Sequence, residues 1–497
     1  MLLNYQYQAY PSTQQKLELN DWLRICRYWY NWQLGDRFRW WNENRTAVNS
    51  CPLITYLPEL RDNPGYFSQK KLLPIWKKDL VTVVHSGELL DFTRVPANTL
   101  QDVCKRADLA FSRFIKGDCN GSRSGKPRFK NQARYRTLKI DGKDCFSVAR
   151  IERKWIWLKI SKLKGWLKVR LHRPLPDGFK IKNILITKKT DGWYTTLCLE
   201  DSTVPAFTPE SVIPTWDNGI GLDAVLYGDD YLATSENTKL PSLKSYRKNH
   251  SYLVGLTQIP QFNATCRVGK TLPTLPMDSV RKSYLEKVQT KKNAKTKGSK
   301  ARRKLQSREA RIHQRIARSR KDHAYKTAHV LVRSGKKVFY YENLNLTGLN
   351  KRNKPKPDGK GGYLPNGQSA KSGLNKSWLD AGFGQFFEVL DYIAGKAGAV
   401  TKKCNPAYTS QLLSYRDEFV FTDCDLREYW DEQEMLLVDR DINAAINLKR
   451  VGLGVFPTIK RCKGNPVIDS SITNSTSKEV LVALRSARSL HLTDSEV

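Results

Sequence analysis

Three acidic residues stand where a folded chain can present chemistry. Asp223 ends the apolar run Gly219-Ile220-Gly221-Leu222-Asp223, and Glu342 ends Lys337-Val338-Phe339-Tyr340-Tyr341-Glu342. Asp441 lies in Asp439-Arg440-Asp441-Ile442-Asn443-Ala444-Ala445-Ile446-Asn447-Leu448, where small and apolar residues at helical spacing mark the start of a helix. Roughly a hundred residues separate each acid from the next, so only tertiary folding can gather them. A single acid at a strand end is ordinarily a solvated carboxylate or a helix cap. Three that converge repel one another unless cations lie between them. Two Mg²⁺ ions about 3.5–4 Å apart could then activate water and stabilise the leaving oxygen of a phosphodiester.

The elements that must position them differ along the chain. Residues 1–150 read as mostly helical, with Leu19, Trp22, Leu23, Cys26 and Tyr30 on one face of a helix over 14–34. Over 151–215 the pattern turns to strands, at 155–160, 166–171, 181–187 and 193–199. Turns at Lys164-Gly165, Pro176-Asp177-Gly178 and Asp191-Gly192 divide them into a small antiparallel sheet or barrel. Residues 216–456 hold the three acids and a basic insert over about 240–335, whose helical stretch is expected at 280–332. A helix is expected at about 378–397 and a loop at 348–372. The tail 457–497 is polar and rich in Ser and Thr.

The chain of 497 residues has 85 Lys and Arg against 48 Asp and Glu, a formal net charge of +37. Such an excess is hard to hold without a polyanion, and nucleic acid is the default partner. In the insert, Arg302, Arg303, Arg311, Arg315 and Arg318 alternate with Leu305, Ile312 and Ile316. That pattern reads as an amphipathic helix with a cationic face for phosphates. No signal peptide or membrane span is read, and none of the ten cysteines forms a Cys-x-x-Cys pair. The expected compartment is the cytoplasm, which in a bacterial cell includes the nucleoid.

These motifs resemble the TnpB family of transposon-encoded nucleases and the related type V CRISPR effectors. Gly221-Leu222-Asp223 is similar to the family's first RuvC motif, Tyr341-Glu342-Asn343-Leu344-Asn345-Leu346 to its second, and Asp439 to Asn447 to its third. Asn405-Pro406-Ala407-Tyr408-Thr409-Ser410-Gln411 resembles the entry to its zinc ribbon, and Gly125-Lys126-Pro127-Arg128-Phe129-Lys130 its Gly-x-Pro-x-Phe-Lys signature. The resemblance implies a multidomain α/β and α+β chain: an RNase H-like (RuvC-like) nuclease core, an N-terminal β-barrel wedge and a helical recognition module. Asp223, Glu342 and Asp441 would be the catalytic Mg²⁺ ligands. A guide RNA and a target double-stranded DNA with a short flanking motif would be the partners, met in part by Lys126, Arg128 and Lys130. Two departures stand out. Val225 occupies a place where the family commonly has Gly. The ribbon, over about 404–437, has Leu413 and Arg416 where its first cysteine pair would fall, so no structural zinc is expected. A target-finding protein that does not cut, or a transposase working without RNA, would share much of this pattern.

Overall fold

The computed structural model describes residues 2–50, 62–243, 284–468 and 480, apart from 85, 119–120, 122, 202–206, 360–361, 424 and 463–464. Two compact units result, Met1–Ala206 and Phe207–Val497. Cys424 and the Ser/Thr-rich stretch 469–478 lie outside the described residues.

In the first unit, strand β1 (Leu2–Tyr10) leads through Pro11 into helix α1 (Thr13–Ser50). A reciprocal cap sets the turn: the Gln15 amide donates to Ser12 Oγ (3.2 Å) and the Ser12 amide to Gln15 Oε1 (3.0 Å). Leu19, Trp22, Cys26 and Trp29 recur at three- and four-residue spacing, and all are buried. Helix α2 (Ala97–Ile115) packs beside α1. Strands β2 (Thr137–Asp141), β3 (Phe146–Glu152), β4 (Trp155–Ile160), β5 (Trp166–Arg170), β6 (Lys180–Lys189) and β7 (Gly192–Glu200) follow. With β1 they form an antiparallel sheet ordered β2-β6-β7-β1-β5-β4-β3. The expected closed barrel is not formed among the described residues. The ladder ends at β2 and β3, and β3 pairs only with β4, leaving Ser147 to Glu152 exposed along the outer edge.

The second unit is built on a five-stranded mixed sheet. Its strands are β8 (Gly219–Ala224), β9 (Asp230–Thr234), β10 (Lys239–Pro241), β11 (Val338–Glu342) and β12 (Val400–Cys404), in the order β10-β9-β8-β11-β12. The β8-β9 and β9-β10 pairs are antiparallel, whereas β8-β11 and β11-β12 are parallel. One face carries Ile220, Leu222, Phe339 and Tyr341 into an apolar core with residues of helices α4 (Lys300–Arg333) and α6 (Phe383–Lys396). Tyr341 stacks on Phe387 there, with ring centroids 4.1 Å apart.

Two expected helices are each divided. The basic stretch forms α3 (Tyr284–Asn293) and then α4, because Gly298 takes a positive φ of 86° and Ser299 caps the second helix by accepting from the Arg302 amide (3.2 Å). Helix α5 (Gln368–Ala381) is separated from α6 by Gly382 at φ 67°. A short hairpin, β13 (Glu428–Asp431) and β14 (Leu436–Asp439), leads into the last helix, α7 (Arg440–Leu453). No helix of the described residues is long and apolar enough to cross a membrane.

Candidate active site

Asp223 and Glu342 meet because their strands are adjacent and in register. Leu222 pairs with Tyr341 across the parallel ladder of β8 and β11, and the two acids are the next residues along. Side chains alternate along a strand, so Gly221 and Asp223 share one face with Tyr340 and Glu342. Leu222 and Tyr341 point the other way, into the core of α4 and α6. The acidic pair therefore emerges at the C-terminal end of the two central strands.

Helix α7 covers the acidic face. A Cβ built on Gly221 would lie 1.8 Å from the Ala445 carbonyl oxygen, and one on Gly452 would lie 1.9 Å from the Tyr340 ring. Only glycine lets the helix come this close. Asp441 is one helical turn before Ala445, about 6 Å along the axis. Asp223 is two residues beyond Gly221, about 6.6 Å along the strand. The two rises match, which puts Asp441 at the end of the sheet where Asp223 emerges. The start of α7 is fixed by Asp439, whose carboxylate accepts from the amides of Asp441 (2.9 Å) and Ile442 (3.1 Å).

The carboxylates are held away from water and from ionisation. Asp223 is 9% and Asp441 7% exposed. Burial, then the charges of Glu342 and Asp441, push the Asp223 carboxyl well above its ordinary range, and it shares a hydrogen bond with Glu342. Glu342 is also raised, first by burial and then by Asp441, to about 7. Asp441 is raised by burial and by Asp439, and is opposed by Lys239 and Arg427. Its oxygens stand 3.1 Å from Arg427 and 3.6 Å from Lys239. Lys239 also bonds Asp439 and lies 3.4 Å from Asp230. Among the described residues no three metal-ligating side chains point at one spot as they stand, and Asp441 faces these two cations. The donor set nevertheless suits a hard divalent ion: three mutually repelling oxygen acids, Asp223 and Asp441 buried and Glu342 partly so, with no soft ligand among them.

Stability should report this. A carboxyl whose folded pKa is raised adds stability below its unfolded pKa and loses it as pH climbs through the folded value. Without divalent cations the protein should therefore lose stability between about pH 4 and 7. Saturating Mg²⁺ or Mn²⁺ at neutral pH should restore roughly 5 °C of Tm. Asp223→Asn should flatten the pH dependence and remove the cation effect. Identical thermal shifts in wild type and variant would remove Asp223 from the site.

The segment that resembles a zinc ribbon without its cysteine pair packs around an apolar cluster and an ion pair. Leu413 is fully buried with Tyr415, Phe421, Leu436, Val438, Ile446 and Val480. Val480 belongs to the C-terminal tail, so at least this tail residue contributes to the fold. Arg416 reaches Asp431 (3.2 Å), which also accepts from the Tyr415 hydroxyl (2.6 Å). Asn443 and Asn447, both buried, clamp the preceding loop to α7 by donating to the carbonyls of Leu412 (2.7 and 2.6 Å) and Thr409 (2.9 Å). Two asparagines four residues apart in an Ala/Ile-rich helix were the signal in the sequence for this clamp. Lys239 and Arg427 had no such signal. Val225 is buried, and its amide donates to the Tyr231 carbonyl (3.0 Å).

The cationic candidates separate into groups. Arg303, Arg311, Arg315 and Arg318 are exposed and fall within an arc of roughly 120° on α4, opposite Leu305, Ile312 and Ile316. Arg302 does not join them: its guanidinium donates to the carbonyls of Lys292 (3.1 Å) and Lys295 (2.8 Å), capping α3. Elsewhere, in the first unit, Arg128 is exposed and Lys126 lies 4.6 Å over the Phe38 ring. The Lys130 backbone is pinned by Asn31, which accepts from its amide (2.8 Å) and donates to its carbonyl (2.9 Å).

Fold and site thus define an α/β protein whose mixed sheet gathers acids at one end, in a strongly basic chain. The motif resemblance is borne out by comparison with known proteins. A family described as a helix-turn-helix domain, of the OrfB IS605 kind, matches residues 1–46, which here form one strand and one long helix. The Cas12f1-like TNB domain family matches residues 383–448. A protein of Streptomyces pristinaespiralis, provisionally named an RNA-guided DNA endonuclease, is 24% identical over 90% of this chain and 89% of its own. InsQ of Escherichia coli K12, provisionally named likewise, is 24% identical over 83% of this chain and 82% of its own. A solved Cas12f1–sgRNA–target DNA complex aligns with 90% of this chain and 98% of its own at 10% identity, with a TM-score of 0.43, too loose to bear on the fold.

Proposed function

We propose that this chain is an RNA-guided DNA endonuclease of the TnpB and type V kind, cutting at Asp223, Glu342 and Asp441. The observation that carries the reading is the gathering of these three acids at one sheet end in a chain of net charge +37. The strand order and sense of the second unit support an RNase H-like, RuvC-like core over 216–456. Residues 1–150 would supply helical recognition and the start of the wedge, and 151–215 the rest of the wedge. The names of the two curated relatives support the activity. Two divalent ions, most simply Mg²⁺, would supply charge stabilisation at a phosphodiester. The chain's own part is to hold Asp223 and Glu342 in register, to fix Asp441 through the Asp439 cap, and to keep water from the pair by burial. Sequence would be read by pairing between guide RNA and target, with the protein meeting phosphates and a short flanking duplex. Sequencing of RNA that co-purifies with the protein tests the guided reading directly, and recovery of no defined RNA species would sink it.

Two further expectations follow from the same reading. Changing Arg303, Arg311, Arg315 and Arg318 together to Gln should weaken nucleic-acid binding alike for all guide sequences. The slope of log affinity against log salt should become shallower by roughly 0.7 to 0.9 for each phosphate no longer neutralised. An unchanged slope, with normal thermal unfolding, would return this face to ordinary solvated charge. Leu413 in the small apolar core and the Arg416–Asp431–Tyr415 group support a ribbon-like segment that needs no zinc. Elemental analysis should find well under one zinc per chain, and a stoichiometric ion would overturn that.

A protein that finds its target without cutting is the second reading, favoured by the turn of Asp441 onto Lys239 and Arg427. Mg²⁺-dependent linearisation of a target plasmid by the purified ribonucleoprotein decides between them.

A further inference from the structure

Lys239 reaches the acids along a row that crosses three strands. Asp223 is opposite Ala233 in the β8-β9 pair, and Ala233 is opposite Lys239 in the β9-β10 pair. Residues directly opposite in an antiparallel ladder share a face, so Lys239 rises on the α7 side, about 10 Å across the ladder from Asp223. Leu232 and Leu240, their neighbours in sequence, turn to the core on the other side. Only the methyl group of Ala233 rises from the strand between Lys239 and Asp223. The lysine backbone is anchored on both sides. Before it, the Thr234 amide donates to the Thr238 carbonyl (2.9 Å) across a turn with Asn237 at φ 57°. After it, the Pro241 carbonyl accepts from His323 Nε2 of α4 (2.9 Å).

Three carboxylates surround the ammonium. Lys239 Nζ donates to Asp439 Oδ2 and stands 3.4 Å from Asp230 and 3.6 Å from Asp441. Asp439 divides its oxygens: Oδ2 takes the lysine, while Oδ1 accepts from the amides of Asp441 and Ile442 and so caps α7. That bond can persist whichever way Asp441 turns. The Asp441 contact is the longest of the three and lies beyond hydrogen-bond distance. It is also the contact that Asp441 must give up to face Asp223 and Glu342. The lysine side chain is partly exposed, and four methylene groups give its charge room to move.

We infer that Lys239 is a positioning residue that stands in for a divalent ion at Asp441, holding this acid off the Asp223–Glu342 pair until such an ion replaces it. The inference rests on the reading of the three acids as metal ligands. Acids gathered without a cation repel one another, and a single charge on a flexible stem can neutralise them at rest and still withdraw. Lys239 keeps Asp439, and with it the start of α7, as Asp441 turns. Its competition sets the divalent-ion concentration at which Asp441 joins the pair. Loss of the ammonium should therefore act with opposite signs on two quantities. Asp230, Asp439 and Asp441 would keep only Arg427, 3.1 Å from Asp441, so the cation-free protein weakens. The same uncompensated charge draws a divalent ion more strongly. A lysine that merely braced α7 would, when lost, lower both stability and cation affinity.

The test uses the full chain, cleared of nucleic acid by nuclease and high salt, with Mn²⁺ as the probe. Free Mn²⁺ is counted by its paramagnetic resonance signal, thermal unfolding is followed in parallel, and Asp223→Asn supplies the background of ions bound elsewhere. Lys239→Met keeps an unbranched stem and removes the charge. It should unfold at lower temperature than wild type without cations, yet bind Mn²⁺ at the acids roughly tenfold more tightly. Lys239→Arg keeps the charge and should stay within about threefold of wild type in Mn²⁺ affinity. The Mg²⁺ concentration giving half-maximal cleavage should fall in the Met variant alone. Should Lys239→Met fail to fold, Lys239→Gln, neutral but still able to donate to Asp439, carries the same expectation. Unchanged or weaker Mn²⁺ binding in the neutral variant overturns the inference, as does equal tightening in the Arg variant, which would mean that charge is not what competes. Wild type binding no more Mn²⁺ than Asp223→Asn would overturn the metal-ligand reading as well, whereas site binding that Lys239→Met leaves unchanged overturns this inference by itself.

Discussion

Alanine in place of Asp223, Glu342 or Asp441 is expected to reduce DNA cleavage by roughly a thousandfold or more while target binding persists. Each acid would supply oxygen ligands to the ions that stabilise charge at the phosphodiester. Losing several kcal/mol of that stabilisation costs about tenfold for every 1.36 kcal/mol. On the guided reading, affinity for the target would come from base pairing and phosphate contacts, which none of the three would make. The variants should differ from one another in one respect. Asp223→Ala and Glu342→Ala each remove half of a mutually repelling buried pair, so the cation-free protein should become no less stable. Asp441→Ala leaves Lys239 and Arg427 without the carboxylate between them, and should lower stability or make DNA binding tighter and more salt-sensitive. Cleavage at the wild-type rate by any one variant would exclude that acid from the reaction.

The site was more legible in the sequence than the architecture that carries it. Asp223 and Glu342 announced themselves because each closes an uninterrupted apolar run, the pattern of a central strand buried on both faces. Asp441 did so through the small and apolar residues that follow it. What turned Asp441 could not be read, since Lys239 sits on a three-residue edge strand and Arg427 in a loop, where neither spacing nor composition marks a side chain. The seven-stranded sheet was hard for a related reason. Its central strand, β1, lies at the start of the chain and pairs with strands about 160 to 200 residues later, so local pattern assigns it to the helical region. Closure or openness of a sheet is likewise a property of its two edges, which no single strand encodes. The divided helices were missed because a glycine in an otherwise helical run costs only about 1 kcal/mol. Gly298 and Gly382 break their helices, whereas Gly395 is accommodated in one.

Gly221→Ala should slow cleavage by on the order of a hundredfold, though its side chain is a single methyl group. The added carbon would stand 1.8 Å from the Ala445 carbonyl oxygen and 2.9 Å from the Lys449 amide nitrogen. Both are backbone atoms of α7, so no rotamer change relieves the clash and the whole helix must move. Overpacking of this kind ordinarily costs about 1–3 kcal/mol, and a rigid backbone contact belongs at or above the upper end. A loss of about 3 kcal/mol corresponds to a fall in Tm of roughly 6–12 °C for a unit of this size. The consequence for chemistry is larger than for stability. Displacing α7 outward carries Asp441 away from Asp223 and Glu342, and misplacement by about 1 Å can cost on the order of a hundredfold in rate. Gly395→Ala is the matched control: a glycine inside α6 with nothing within 4 Å of the added carbon, where alanine should leave cleavage unchanged and stability equal or slightly higher. The comparison reads Tm and cleavage rate together in the two variants. Wild-type values for both in Gly221→Ala would mean that α7 does not press on the sheet at Ala445, and the placement of Asp441 built on that contact would have to be abandoned.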